Sequence, residues 1–216
     1  MMEEITGRIT VDGVDLSTIP RNDVRSRLIC IPQDAYLFSG TVRHNVDPTG
    51  SAPDDAIIGA LQKVQLWETI SNKGGLDAET TDTFLSHGQR QLFCLARALL
   101  RTSRVIIFDE GTSSVDEKTD ELIQRLIRQE FKYHTIIMIA HKLDTILDFD
   151  KVAILSGGEL VECGDPMTLL ATESSAFFKL YNAHSSQPAE VIDCISQDVE
   201  RSSWGDDVGT PKWGAI

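Results

Sequence analysis

The sequence predicts an α/β fold built around a sheet of parallel strands. The apolar run Val105–Phe108 is followed by a helical stretch, Glu117–Phe131, and then by a second apolar run, Thr135–Ala140. Continuous apolar runs of this length suit strands buried on both faces. A strand, a crossover helix and a second parallel strand form a right-handed unit in nearly all cases. A third apolar run, Leu28–Ile31, is stopped by Pro32 and adds a further strand. A hydrophobic content of 41% across 216 residues suffices for one buried core.

The remaining elements follow in chain order. Gly7–Gly13 alternates and ends on a turn signal, which predicts a strand and a tight turn. From about Ser39 to Arg104 no convincing strand is visible. Asp54–Thr69 carries helical spacing at Ile57, Ile58, Leu61, Val64 and Leu66. Gly74–Phe84 is polar and glycine-containing, so it reads as a loop. Leu85–Arg101 is helical, with Leu92, Leu95, Ala96 and Leu99 on one side and Ser86 placed to cap it. The helix Glu117–Phe131 puts Leu122, Ile123, Leu126, Ile127 and Phe131 on one stripe. Lys151–Leu155 and Glu159–Glu162 form a hairpin around Gly157-Gly158, and Pro166–Leu180 is a last helical region. From His184 the chain turns Ser-, Asp- and Gly-rich. Six acids there face two bases, Arg201 and Lys212, so 184–216 is expected to be a disordered acidic tail.

Composition excludes several classes. A net charge of -13 opposes binding to nucleic acid phosphates. Cys30, Cys94, Cys163 and Cys194 form no C-x-x-C pair, which argues against a zinc site and suits a reducing cytosol. No apolar run approaches the roughly 18 residues of a membrane span, and the N-terminus MMEEITGR does not read as a signal peptide.

The chemistry-bearing residues fall at strand ends. Asp109-Glu110 ends one strand and His141 follows another, so acids and imidazole leave the sheet by one edge, where ligands of such sheets bind. An Asp there can hold Mg²⁺. A neighbouring Glu can polarise an attacking water, and a His can sense a terminal phosphate. Gln33, in the loop after Pro32, can touch both metal and water. LSHGQ, from Leu85, opens a helix. Ser86 caps it, the free amides after it make an anion site, and Gly88 permits close backbone approach. Taken singly, an apolar strand ending in Asp-Glu, a histidine after a strand or a loop glutamine is ordinary structure. Their conjunction in this order is what discriminates.

At these residues the chain resembles the nucleotide-binding domain of ATP-binding-cassette (ABC) transporters. LSHGQ is similar to the family signature, VIIFDE to the Walker B strand with its catalytic Glu110, and Ser113–Asp116 to the D-loop. His141 is similar to the switch histidine and Gln33 to the Q-loop. IPQDAYLFSGTVRHNVDP and GQRQLFCLARALL resemble subfamily C, the multidrug-resistance-associated type, and Glu110 resembles its second nucleotide-binding domain. The resemblance spans about Gly7 to Tyr181. It implies a P-loop NTPase (RecA-like) core over 1–183, an inserted helical subdomain at about 39–104 and a small antiparallel β part. It implies ATP and Mg²⁺ as cofactors, with Glu110, His141 and Gln33 catalytic. Asp109 and Gln33 would meet the metal, and Ser86, Gly88, Gln89 and Asp116 the nucleotide. It also implies a second nucleotide-binding domain and transmembrane domains as partners, no nucleic acid, and a place on the cytosolic face of a membrane within an integral transporter.

Three departures stand out. His87 stands where the signature usually has a Gly, leaving Gly88 in place, and Gly111 replaces the usual Ala after the catalytic Glu. The phosphate loop G-x-x-x-x-G-K-[ST] is found nowhere in the 216 residues. The family order places it, and the central strand before it, ahead of GRITVDGVDL. The domain is therefore expected to be N-terminally truncated, with Met1–Ile5 as the tail of the following helix, and the isolated chain is not expected to be an active ATPase. The favoured function is the C-terminal part of the ATP-hydrolysing domain of an exporter of organic substrates. The alternative is a non-catalytic binding module that donates its signature motif to a partner ABC domain, which requires association with an intact domain. A DNA-repair or chromosome-structural ATPase shares the signature, but the chain lacks sustained heptads and is acidic.

Overall fold

In the computed structural model, residues 7–81, 83–109 and 115–184 and the backbone of 213–215 are described. Strands β1 (Thr10–Val11) and β2 (Val14–Asp15) pair antiparallel across a tight turn. Asp12 and Gly13 both take positive φ, 52° and 78°, the geometry that matches the twist of a two-residue hairpin. Helix α1 (Arg21–Arg27) leads into β3 (Leu28–Ile31). The short β4 (Gly40–Thr41) precedes α2 (Val42–Val46).

The periodic stretch read as one helix over Asp54–Thr69 is two: α3 (Asp54–Lys63) and α4 (Trp67–Ser71). Gln65 breaks it with φ at 59°. The apolar spacing stays in phase across the break, because Ile57, Leu61, Val64, Leu66 and Ile70 are all buried. Periodicity therefore could not reveal the kink. The two-residue β5 (Glu79–Thr80) pairs antiparallel with β4, a strand pair too short for the sequence to show. Helix α5 (His87–Leu99) packs against α2, α3, α6 and β3.

Next come β6 (Val105–Asp109), α6 (Glu117–Glu130) and β7 (Thr135–Ile139). β6 and β7 pair in parallel, as the strand–helix–strand unit requires. β8 (Lys151–Ser156) and β9 (Glu159–Gly164) form the expected hairpin, with Gly157 and Gly158 at φ 63° and 84°. The last helical region is also two pieces, α7 (Pro166–Leu170) and α8 (Ala176–His184). A strand not foreseen in the tail, β10 (Trp213–Ala215), completes the main sheet.

Among the described residues that sheet has six strands, in the order β3-β6-β7-β10-β8-β9. All ladders are parallel except β8–β9. Ile29, Ile31, Ile106, Phe108, Ile136 and Met138 are buried with Leu92, Leu95, Ile123 and Ile127 of the covering helices. This α/β architecture matches the predicted class. Among the described residues no helix is long and apolar enough to cross a membrane.

Candidate functional site

The parallel ladders fix the site at one sheet edge. Ile31, Phe108 and Met138 stand in one row, and Asp109 pairs with Ile139 in the next. Neighbouring strands lie about 4.8 Å apart and each residue advances about 3.3 Å. Gln33, two residues past β3, Asp109, the last residue of β6, and His141, two residues past β7, therefore share the carboxyl edge of adjacent strands. Glu110, Gly111 and Ser113 lie outside the described residues.

Helix α5 begins beside this edge with a complete capping box. Ser86 Oγ accepts from the Gln89 N–H at 3.3 Å, and Gln89 Oε1 accepts from the Ser86 N–H at 3.0 Å. Both side chains are thus committed to their own helix end. Gly88 is buried, and a Cβ placed there would lie 3.1 Å from Thr119 Cγ2. Its close approach is to the first turn of α6, not to an open surface. The N-termini of α5 and α6 consequently sit side by side. Asp116 caps α6, accepting from the Thr119 N–H at 3.1 Å and the Thr119 hydroxyl at 2.7 Å. The hydroxyl bond first, then the N–H, holds the exposed Asp116 carboxyl below the usual carboxylate range. Among the described residues, the buried His87 Nδ1 has no hydrogen-bond partner.

Two positioning residues were not singled out from the sequence. Gln91 is 2% exposed on the inner face of α5, and its carboxamide donates to the Gln33 carbonyl. Its signal was a polar side chain at i, i+4 spacing from Leu95. Arg97 donates to the Asn45 carbonyl at 2.6 Å and the Tyr36 carbonyl at 2.9 Å, and its guanidinium lies over Phe93 and Phe38. Burial lowers the Arg97 pKa from its usual value. Asn45, fully buried, accepts from the Phe38 N–H and donates to the Phe38 and Thr41 carbonyls. Together these groups tie the loop that carries Gln33 to α5. Beyond β7, Lys142 pairs with the buried Asp120 of α6.

A cavity of about 30 Å³ lies beneath the edge, bordered by Gln91, Phe108, Met138 and His141. It has room for a water molecule and not for a nucleotide, which needs hundreds of Å³. Among the described residues, no group of three His, Cys, Asp or Glu gathers as a metal cage. Mg²⁺ commonly binds one or two protein oxygens and completes its shell with waters and phosphates. Asp109, at the end of β6, and Gln33, in the loop after the adjacent β3, fit that partial role. The thiols of Cys30 and Cys94 are free, and burial raises both above the ordinary thiol value, so neither is an activated nucleophile.

Comparison with known proteins gives consistent matches. The family model described as ABC transporter matches residues 1–113. The "ABC multidrug transporter B" of Aspergillus fumigatus is 53% identical over 181 residues, covering 84% of this chain and 12% of that protein. The "ATP-binding cassette sub-family C member 4" of Homo sapiens is 43% identical over 182 residues, 83% of this chain and 14% of that protein. The human "ATP-binding cassette sub-family C member 2" is 45% identical over 181 residues, 82% and 12% respectively. The chain thus spans about an eighth of the length of these relatives.

Proposed function

The chain belongs to the ABC transporter family, and from that premise we propose that it is the C-terminal part of the ATP-hydrolysing domain of a subfamily C exporter, its second nucleotide-binding domain. The observation that carries this reading is the shared sheet edge of Gln33, Asp109 and His141, with two helix N-termini beside it. Relatives named as multidrug and sub-family C transporters support it.

In this reading Asp109 and Gln33 would hold Mg²⁺, which would supply positive charge to offset that of the phosphates. Glu110 accepts a proton from the attacking water. His141 hydrogen-bonds the terminal phosphate. Ser86, Gln89, Asp116 and the backbone N–H of Gly88 face ATP held by a second nucleotide-binding domain, and Ser86 and Gln89 must first release their capping box. The β/γ-phosphates need a cradle of backbone amides and a Lys from a segment outside these 216 residues. The domain sits on the cytosolic face of a membrane, joined to transmembrane domains that choose the substrate.

The test reads the transcript in frame upstream of Met1. A phosphate loop and transmembrane helices there support the reading, and a native message that starts at Met1 sinks it. In the full-length product, Glu110→Gln is expected to lower ATP turnover at least about 100-fold.

A further inference from the structure

Strands β3, β6 and β7 begin in one row, since Leu28 pairs with Val105 and Val105 with Thr135. Their starts form the amino edge of the sheet, opposite the edge that carries Gln33, Asp109 and His141. Each strand is entered from the C-terminal end of a helix, α1, α5 and α6 in turn. The joins are tied to one another. The Ser103 hydroxyl donates to the Arg27 carbonyl, Arg101 Nη2 to the Arg25 carbonyl at 2.9 Å, and the Thr135 N–H to the Arg104 carbonyl at 2.8 Å.

Five cations gather at these joins. Arg25 and Arg27 close α1, Arg101 and Arg104 stand between α5 and β6, and Lys132 stands between α6 and β7. All five are exposed. Among the described residues none of them is in an ion pair. Asp23 lies at the other end of α1. Three adjacent strands span only about 10 Å, so like charges crowd together in a chain whose net charge is -13. Helix ends explain part of this, because each C-terminus carries about -0.5 of a charge. Three such ends offset only about a third of the five positive charges. Beside them Tyr133 is 74% exposed, with the Lys132 ammonium 4.7 Å from its ring centroid.

We propose that this amino edge is a docking surface for an acidic peptide segment, and that its occupant is residues 190–207 of the same chain. That segment lies outside the described residues and carries six acids against one base, Arg201. Its net charge matches the surplus on the edge in size and opposes it in sign. Asp198 and Glu200, two residues apart, fall on one side of an extended chain about 6.6 Å from each other, close to the strand spacing at which the cations stand. Tyr133 offers a ring to the apolar residues between the acids. The segment can reach. Helix α8 packs against β9, which lies about 24 Å from β3 across the sheet, and residues 185–197 extend up to about 43 Å. The inference concerns the amino edge alone and stands independently of the nucleotide reading.

Carbodiimide coupling of the full chain tests it, because the reagent joins an amine to a carboxylate only where the two touch. Peptide mass mapping is expected to find Lys132 joined, within one chain, to an acid of 190–207 at low salt. The yield is expected to fall at least about 5-fold when the salt is raised to about 0.5 M. Arg27→Glu with Arg104→Glu leaves Lys132 in place and alters only exposed side chains. It is expected to lower the low-salt yield by about the same factor, whereas Arg27→Lys with Arg104→Lys is expected to preserve it. Absence of a link from Lys132 to 190–207, a link only between copies, or a yield indifferent to salt and to charge reversal overturns the proposal. Capture of phosphatidylserine vesicles through the same arginines, without that link, overturns it equally and assigns the edge to a membrane surface.

Discussion

The Gln91 carboxamide reaches from the inner face of α5 to the main-chain carbonyl of Gln33, so the signature helix and the loop after β3 are joined through one side chain. Gln91 also lines the small cavity beneath His141. Any movement of the Gln33 loop therefore has to be matched by α5 or has to break this bond.

Gln91 offers a clean contrast between two substitutions. Its buried Oε1 has no hydrogen-bond partner among the described residues, so a carboxylate there would be desolvated and uncompensated. Gln91→Glu is expected to cost about 3 kcal/mol in urea unfolding, and Gln91→Leu about 1 kcal/mol, since Leu removes the orphan acceptor along with the bond. Equal costs for the two would mean that the tether matters only for packing.

The box at the start of α5 is expected to carry measurable stability. Ser86→Ala should destabilise the fold by about 1 kcal/mol, and Ser86→Asp should recover most of that, because either oxygen can accept from the Gln89 N–H. Circular dichroism with thermal unfolding reads both. No loss on Ser86→Ala would contradict the cap.

Gly88 and Thr119 should show coupling. Gly88→Ala gains helix propensity of about 1 kcal/mol, but the new Cβ presses on Thr119 Cγ2. Thr119→Ser removes that methyl and keeps the hydroxyl bond to Asp116. In a double-mutant cycle, Gly88→Ala is expected to be more favourable by about 1 kcal/mol when combined with Thr119→Ser than when made alone. Additivity within error would contradict the contact.

How much of this was legible in the sequence can be followed residue by residue. Val105–Phe108 and Thr135–Ile139 were readable because continuous apolar runs have few other uses, and their ends located Asp109 and His141. Ser86 was readable as a cap because short polar side chains before an apolar helix satisfy orphan amides. The break at Gln65 was not, because the apolar residues stay in phase through it. Gln91 and Arg97 were missed because their partners are backbone carbonyls of Gln33, Tyr36 and Asn45, far away in sequence. β10 was missed because three residues carry no periodicity and a parallel slot imposes no local turn.

Acid should loosen the first turn of α6. The Thr119 hydroxyl and N–H hold Asp116 below its usual carboxylate range in the fold. A carboxyl with a depressed folded pKa adds stability that is complete above its unfolded value, about 3.9, and that fades as pH falls through the lower folded value. Protection of the Thr119 amide is therefore expected to stay level above about pH 5 and to decline below about pH 4. Asp116→Asn, which keeps an acceptor and cannot titrate, should flatten that profile. A decline of the same shape in the variant would assign it to another group.

Calorimetric titration of the isolated chain with Mg·ATP is the most direct check that the edge bearing Gln33, Asp109 and His141 is one part of a nucleotide site whose phosphate-holding part lies elsewhere. No saturable binding is expected below about 1 mM ATP. A dissociation constant of about 10 μM or tighter would contradict it, because these residues would then hold the phosphates without the missing loop.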